Sequence, residues 1–183
     1  MTERTAPEFT QIIHPWEINP EQRRELIECW TVVSNAGGAV VPLGFPPPPV
    51  GTEEVAPAVD ELIAGLDPQR GRLLLATIEG DLAGWLVVRR DPHPFIAHWG
   101  ELNHLQTHPR FRGRGIGTAL MHRVQDLARE EMGLEQLHLA ARAGMGLEEF
   151  YRRLGWREIG RWPGALRLAP GDDRDDILMV LTV

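Results

Sequence analysis

The chain has 183 residues, 43% of them hydrophobic and 25% charged, with a formal net charge of −7. Those totals fit one globular domain with a proper core and exclude a disordered or fibrous chain. No apolar run approaches the ~18 residues of a membrane span, and the stretch MTERTAPEF lacks the apolar core of a signal peptide. The single cysteine, Cys29, leaves no internal disulfide and no cysteine metal cluster. The expected location is therefore cytoplasmic. The acidic balance argues against nucleic acid and mildly favours cationic ligands such as amines.

In chain order, residues 1–8 read as a frayed tail and residues 9–183 as the domain. Residues 9–18 are a strand candidate broken at Pro15. Asn19-Pro20-Glu21-Gln22 is a helix start: Asn as N-cap, Pro at the first helical position, Gln three residues past the cap. Leu26, Ile27, Trp30 and Val33 follow at helical spacing, and the helix stops near Gly37-Gly38. Residues 39–51 (AVVPLGFPPPPVG) read as a loop in which four successive prolines hold an extended polyproline form, either a stiff connector or a wall of a substrate pocket. Thr52 is expected to cap a second helix with Val55, Val59, Leu62 and Leu66 on its apolar stripe. Pro57 is tolerated there because it lies near the start. Residues 72–78 and 82–90 form an antiparallel strand pair around Glu79-Gly80-Asp81. Residues 96–107 are a fourth strand, which ends at His108-Pro109 because proline cannot donate to a sheet ladder.

A loop of Arg and Gly, residues 110–118, then leads into a helix that runs to about Met132, with Gly133 at its left-handed cap. Residues 135–141 form a fifth strand, 146–154 a short helix closed by Gly155, and 156–161 a sixth strand. Trp162-Pro163-Gly164 is expected to turn, residues 172–176 to be an exposed acidic loop, and 177–183 to be the last strand. The order is βααβββαβαββ.

Glycines at 113, 115 and 117 let the backbone turn tightly and let a ligand approach without meeting a Cβ. The helix that follows opens with unpaired N–H groups and a positive dipole end, an anion site for which phosphate is the usual occupant. Arg110, Arg112 and Arg114 add fixed positive charge suited to phosphate. A P-loop would need Gly-Lys-Ser/Thr, and the chain has no lysine. A dinucleotide fingerprint would need G-x-G-x-x-G, and here the third glycine comes one residue early. On these residues alone, a nucleotide-binding module and a solvated turn both stay open.

Arg112-Gly113-Arg114-Gly115-Ile116-Gly117 also fits (Gln/Arg)-x-x-Gly-x-(Gly/Ala), which resembles the acetyl-CoA motif of the GNAT N-acetyltransferase family. The run Phe150-Tyr151-Arg152-Arg153-Leu154-Gly155-Trp156 resembles that family's Phe-Tyr-x-x-x-Gly-(Phe/Trp) signature. The resemblance covers nearly the whole chain and is most specific over 101–160. It implies an α/β (α+β) domain whose mixed, curved sheet of about seven strands carries helices on both faces. It further implies acetyl-CoA as co-substrate, no metal, and direct attack by a primary amine in a ternary complex. The expected acceptor is a small molecule, with a protein or peptide amine as the alternative, on a monomer or homodimer. A non-enzymatic acyl-CoA sensor with the same fold is the alternative of another class. Gly37-Gly38-Ala39-Val40 and the turn at 160–164 are similar to tabtoxin-resistance-like members. Ala140 and Ala141 stand where that group can carry an acidic residue.

The resemblance also implies roles. Glu101, eleven residues before Arg112, matches the offset of a general-base glutamate in the histone-acetyltransferase branch. On an apolar sheet surface its pKa would rise toward neutrality. Leu105, Gln106 and Thr107 would bond the pantetheine where a bulge splays the fourth strand from the fifth, and a strand N–H there would act as a small oxyanion hole. Arg112, Gly113, Arg114, Gly115, Ile116, Gly117 and Thr118 would hold the diphosphate. Tyr151, the chain's only tyrosine, would hand a proton to the departing thiolate. His104 and His108 flank the bonding stretch without metal-ligand spacing.

Overall fold

The computed structural model describes residues 5–38 and 45–183. In β2 (Gly71–Ile78) and β3 (Asp81–Arg89), Leu73, Leu75, Trp85 and Val87 pack to one side of the sheet, while Leu74, Ala76, Leu86 and Val88 pack to the other. Strands apolar on both faces need cover on both. α1 (Pro20–Asn35) and α2 (Thr52–Ala64) cover the first face; α3 (Ile116–Asp126) and α4 (Leu147–Arg153) cover the second. The seven strands are completed by β1 (Glu8–Ile12), β4 (Trp99–Thr107), β5 (Gln136–Arg142), β6 (Arg157–Ala169) and β7 (Asp172–Thr182), in the order β1-β2-β3-β4-β5-β7-β6. Among the described residues only the β4–β5 pair is parallel. No helix among the described residues is long and apolar enough to cross a membrane.

Local rules account for the helix ends. Asn19 caps α1 by accepting from Gln22 N at 2.8 Å, and the Gln22 side chain accepts from Asn19 N at 3.0 Å. α2 is capped by Gly51 rather than Thr52: the Glu54 carboxylate accepts from Gly51 N at 2.8 Å, and Thr52 is the first helical residue. α3 widens into a π-turn over Leu127–Glu131, and Gly133 then takes φ +63° as anticipated.

Four further expectations change. The first strand stops at Ile12, and Pro15–Glu17 form a short 3₁₀ turn instead. β4 begins at Trp99, because Ile96 and Ala97 both donate to His93 O in a turn. The proline run bends at residues 48 and 49, while residues 39–44 lie outside the described residues. The largest change is at the C-terminal end. Trp162-Pro163-Gly164 lies inside β6, at a register irregularity, and the acidic stretch lies in β7. The two strands form one long hairpin that turns at Gly171 (φ +83°). Ion pairs account for it: Arg167 of β6 grips Asp173 at 2.6 Å, Arg161 of β6 reaches Asp175 at 3.3 Å and Arg174 of β7 holds Asp172, so three of the four carboxylates are neutralised.

Gly84 sets the seat of α3. A Cβ there would lie 2.6 Å from Gln106 O, 3.0 Å from Ile116 Cγ2 and 3.1 Å from Leu120 Cδ1. Gly84→Ala is expected to cost about 1–3 kcal/mol, read by urea denaturation, because backbone and helix must both give way.

Candidate active site

The β3–β4 ladder slips where it matters. Trp85 pairs with Gln106 and Val87 with Asn103, so His104 and Leu105 together oppose Leu86 alone. This is a β-bulge, and His104 supplies its left-handed residue at φ +57°. β4 pairs with β5 only from Trp99 to Glu101, opposite Gln136–His138. Beyond Glu101 the strands part, as the family resemblance led one to expect. The open edge of β4 then offers N–H and C=O groups to a ligand.

His104 is held by stacking. Its ring lies 4.7 Å from Trp30 and 5.6 Å from Trp85, centroid to centroid. Burial, with Arg89 adding to it, pushes its pKa down from 6.5 to about 4. The unfolded chain then binds the extra proton between those values, so stability is full above pH 6.5 and falls as pH drops toward about 4. The shift is worth on the order of 3 kcal/mol. His104→Asn, which keeps a residue tolerant of the left-handed backbone, is expected to flatten that part of a melting-temperature–pH curve.

A cleft of ≈ 410 Å³ opens along this edge. Its walls are Leu105, Gln106 and Thr107 of β4, Arg112, Gly113 and Gly115 of the loop, Ile116, Gly117 and Thr118 at the mouth of α3, and Phe150 of α4. Gly113 (φ +75°) and Gly115 (φ +81°) have no neighbour within 4 Å of a Cβ position, so they are present for their conformation rather than for space. Ile116, Gly117 and Thr118 form the first turn of α3, where N–H groups lack intrahelical partners, and all three line the cleft. Of the ten residues expected to hold the coenzyme, nine line this cleft; the exception is Arg114. Its guanidinium lies 5.3 Å from the Phe111 ring centroid. Arg110 is also turned away, bound to Asp81 at 2.6 Å, so of the three loop arginines only Arg112 lines the cleft. Gln106 offers backbone rather than side chain, since both of its amide atoms are sealed from solvent.

A second cleft of ≈ 330 Å³ shares Gly38, Leu105, Gln106 and Leu147 with the first. It brings together Glu101 and Tyr151, fifty residues apart in the chain. Glu101 is the last β4 residue paired with β5, opposite Arg89 on one side and His138 on the other. It is exposed rather than set on an apolar surface. Tyr151 is buried among Phe150 and Trp156, and that burial pushes its pKa up to about 12. Burial is the one cause of that shift, with no hydrogen bond from another group contributing, and the residue lines this cleft. Cys29 is no nucleophile, because burial holds its thiol neutral with a pKa of about 12. No group of three metal-ligating side chains occurs among the described residues.

Sequence reasoning missed Val33, Ala36 and Gly38 at the end of α1, and Met145 and Leu147 before and in α4, all of which wall the first cleft. Val33 reads only as a helix-face residue and Gly38 only as a helix stop, and neither reading points to a cleft.

The fold recurs widely among solved structures. A candidate phosphinothricin N-acetyltransferase is 18% identical with a TM-score of 0.75, over 96% of this chain and 98% of that one. A ribosomal-protein-alanine N-acetyltransferase from Brucella melitensis is 18% identical with a TM-score of 0.72, over 96% and 99%. An aminoglycoside 6′-N-acetyltransferase complexed with coenzyme A is 17% identical with a TM-score of 0.69, over 96% and 96%. Identities this low speak for the fold alone. Residues 42–156, well over half of the chain, match the family model described as acetyltransferase (GNAT) family. With the Gly loop, the bulged β4 and the joined clefts in place, the chain belongs to the GNAT acetyltransferases.

Proposed function

We propose that the protein transfers the acetyl group of acetyl-CoA to a primary amine of a small molecule, by direct attack in a ternary complex. The observation that carries this is the junction of the two clefts at Leu105 and Gln106 on the open edge of β4. The coenzyme fits the first cleft: unpaired N–H groups of Ile116, Gly117 and Thr118 with Arg112 suit its diphosphate, and the free edge at Leu105–Thr107 suits the two amides of its pantetheine. When bound, it supplies a thioester at the junction. A β4 N–H beside the bulge then faces the carbonyl oxygen and stabilises the charge it gains. Glu101, at the exposed end of the second cleft, takes the amine's proton through water. Tyr151 keeps its proton and donates a hydrogen bond to the sulfur as it departs.

The small volume of the second cleft favours a small acceptor over a protein segment, since ligand pockets run from about 300 to 1,000 Å³. Thiol release from acetyl-CoA, measured over a panel of amines and peptides, tests the reading: turnover confined to peptides would overturn the acceptor class, and coenzyme binding without any turnover would leave a sensor. Glu101→Gln is expected to lower kcat/KM by about 10- to 100-fold and to flatten the alkaline rise of the pH–rate profile. An unchanged profile would remove Glu101 as base.

A further inference from the structure

The roles just described leave two cations of the acceptor cleft unused, Arg89 and Arg142. Both stand on the α1/α2 face of the gap. Arg89 is the register partner of Glu101, which is in turn the partner of His138, so the three form a row across β3, β4 and β5. Arg142 lies four residues beyond His138, on the same side of β5, because Leu137, Leu139 and Ala141 pack into the opposite core.

Arg142 is only 7% exposed. One Nη donates to Gly37 O at the end of α1, and its buried Nε has no partner. Burial pushes its pKa down, with Arg174 adding to that, yet a guanidinium stays charged. The nearby carboxylates are otherwise placed. Asp172 is taken by Arg174, and Asp176, the register partner of Arg142 on β7, makes no ion pair with it. Arg89 likewise has no carboxylate within ion-pair distance among the described residues. His104 is neutral. The cleft wall thus carries two unpaired guanidiniums against one carboxylate, on a chain whose net charge is −7. Arg89 is exposed and can be met by water, so the demand falls on Arg142, because a buried cation without a counter-ion is costly unless something else supplies the charge.

We propose that the acceptor carries a carboxylate as well as its amine, in the manner of an amino acid, and that Arg142 and Arg89 hold that carboxylate while the amine lies toward Glu101 and the thioester. This rests on the acetyl-transfer reading and reverses the preference for simple cationic amines that the overall charge suggests. Guanidinium matches carboxylate in a bidentate way, which selects strongly against acceptors that lack the anion.

The test compares initial rates of thiol release with the twenty proteinogenic amino acids, their α-amides and their decarboxylated amines, each referred to the neutral-amine fraction. At least one amino acid should exceed its amide and its decarboxylated amine in kcat/KM by about tenfold or more, and Arg89→Gln should bring that ratio close to one. Arg142→Gln should do the same, but it also frees Gly37 O and risks the fold, so Arg142→Lys, which keeps the charge, should retain part of the preference. Equal turnover of amino acids and amides overturns the carboxylate subsite and leaves acetyl transfer standing. A weakened acetyl-CoA affinity in Arg89→Gln, with the acceptor ratio unchanged, assigns that guanidinium to the coenzyme and also overturns the proposal. If nothing turns over, calorimetry of the N-acetylated amino acids and their amides against the CoA-loaded protein decides. Carboxylate-dependent binding keeps the subsite and sinks the transfer reading, whereas its absence sinks both.

Discussion

Gly115→Glu is expected to abolish acetyl-CoA binding while leaving the protein folded. Gly115 is the N-cap of α3 at φ +81°, where a residue with a Cβ pays roughly 1–2 kcal/mol. No atom lies within 4 Å of the Cβ position, so there is no clash to add. A carboxylate at a helix N-terminus returns about 0.3–1 kcal/mol through the dipole, so stability should change little. Binding is another matter. The new charge would sit where the coenzyme diphosphate has to sit, and two like charges about 4 Å apart at an effective dielectric of 20 repel by about 4 kcal/mol, a factor of about 1,000 in affinity. Gly115→Ala separates backbone strain from charge: it should share the small stability cost and keep coenzyme affinity within about tenfold of wild type. Calorimetric titration with acetyl-CoA reads both variants. A glutamate variant that binds as tightly as wild type would place the diphosphate elsewhere.

Tyr151→Phe is expected to lower kcat by about 100-fold with little change in acetyl-CoA affinity. The ring stays packed on Phe150 and Trp156, whose centroids lie 5.1 and 5.9 Å away, so only the hydroxyl is lost. No hydrogen bond contributes to its pKa shift, so the removal orphans no protein group and stability should hold. Because burial raises the phenol to about 12, Tyr151 stays protonated throughout the working range and donates a hydrogen bond at every pH. An ordinary thiol titrates near 8.5, so complete proton transfer to a thiolate in water would run uphill. Inside the gap the same loss of water raises the basicity of the thiolate, and the mismatch narrows. The pH–rate profile should therefore show no downturn from Tyr151 between about pH 7 and 10, and the phenylalanine variant should keep the wild-type shape at a lower height. A variant with wild-type kcat would leave Tyr151 as a packing residue.

Neighbouring residues along the chain determined a good deal here. The Asn19–Gln22 capping pair, the left-handed cap at Gly133, and the order βααβββαβαββ were legible because steric limits and hydrogen-bond reach act over a few residues. The Gly loop and the Phe-Tyr run were legible for the same reason: each lies within one short segment. What the tertiary structure alone decided involves partners far apart. The acidic stretch became a strand because arginines on β6 pair with Asp173 and Asp175, and a composition-based reading cannot see a cross-strand partner. Arg110 and Arg114 were drawn to Asp81 and Phe111, leaving Arg112 alone of the three along the cleft. The end of α1 became a cleft wall, tied by Arg142 to Gly37 across 105 positions of chain. The two clefts meet where β4 leaves β5 after Glu101, beside the β3–β4 bulge at which His104 stacks on Trp30 and Trp85. Backbone geometry is local and can be read in order. Charge neutralisation, and the aiming of side chains into a shared gap, depend on contacts that exist only once the sheet has closed its two cores.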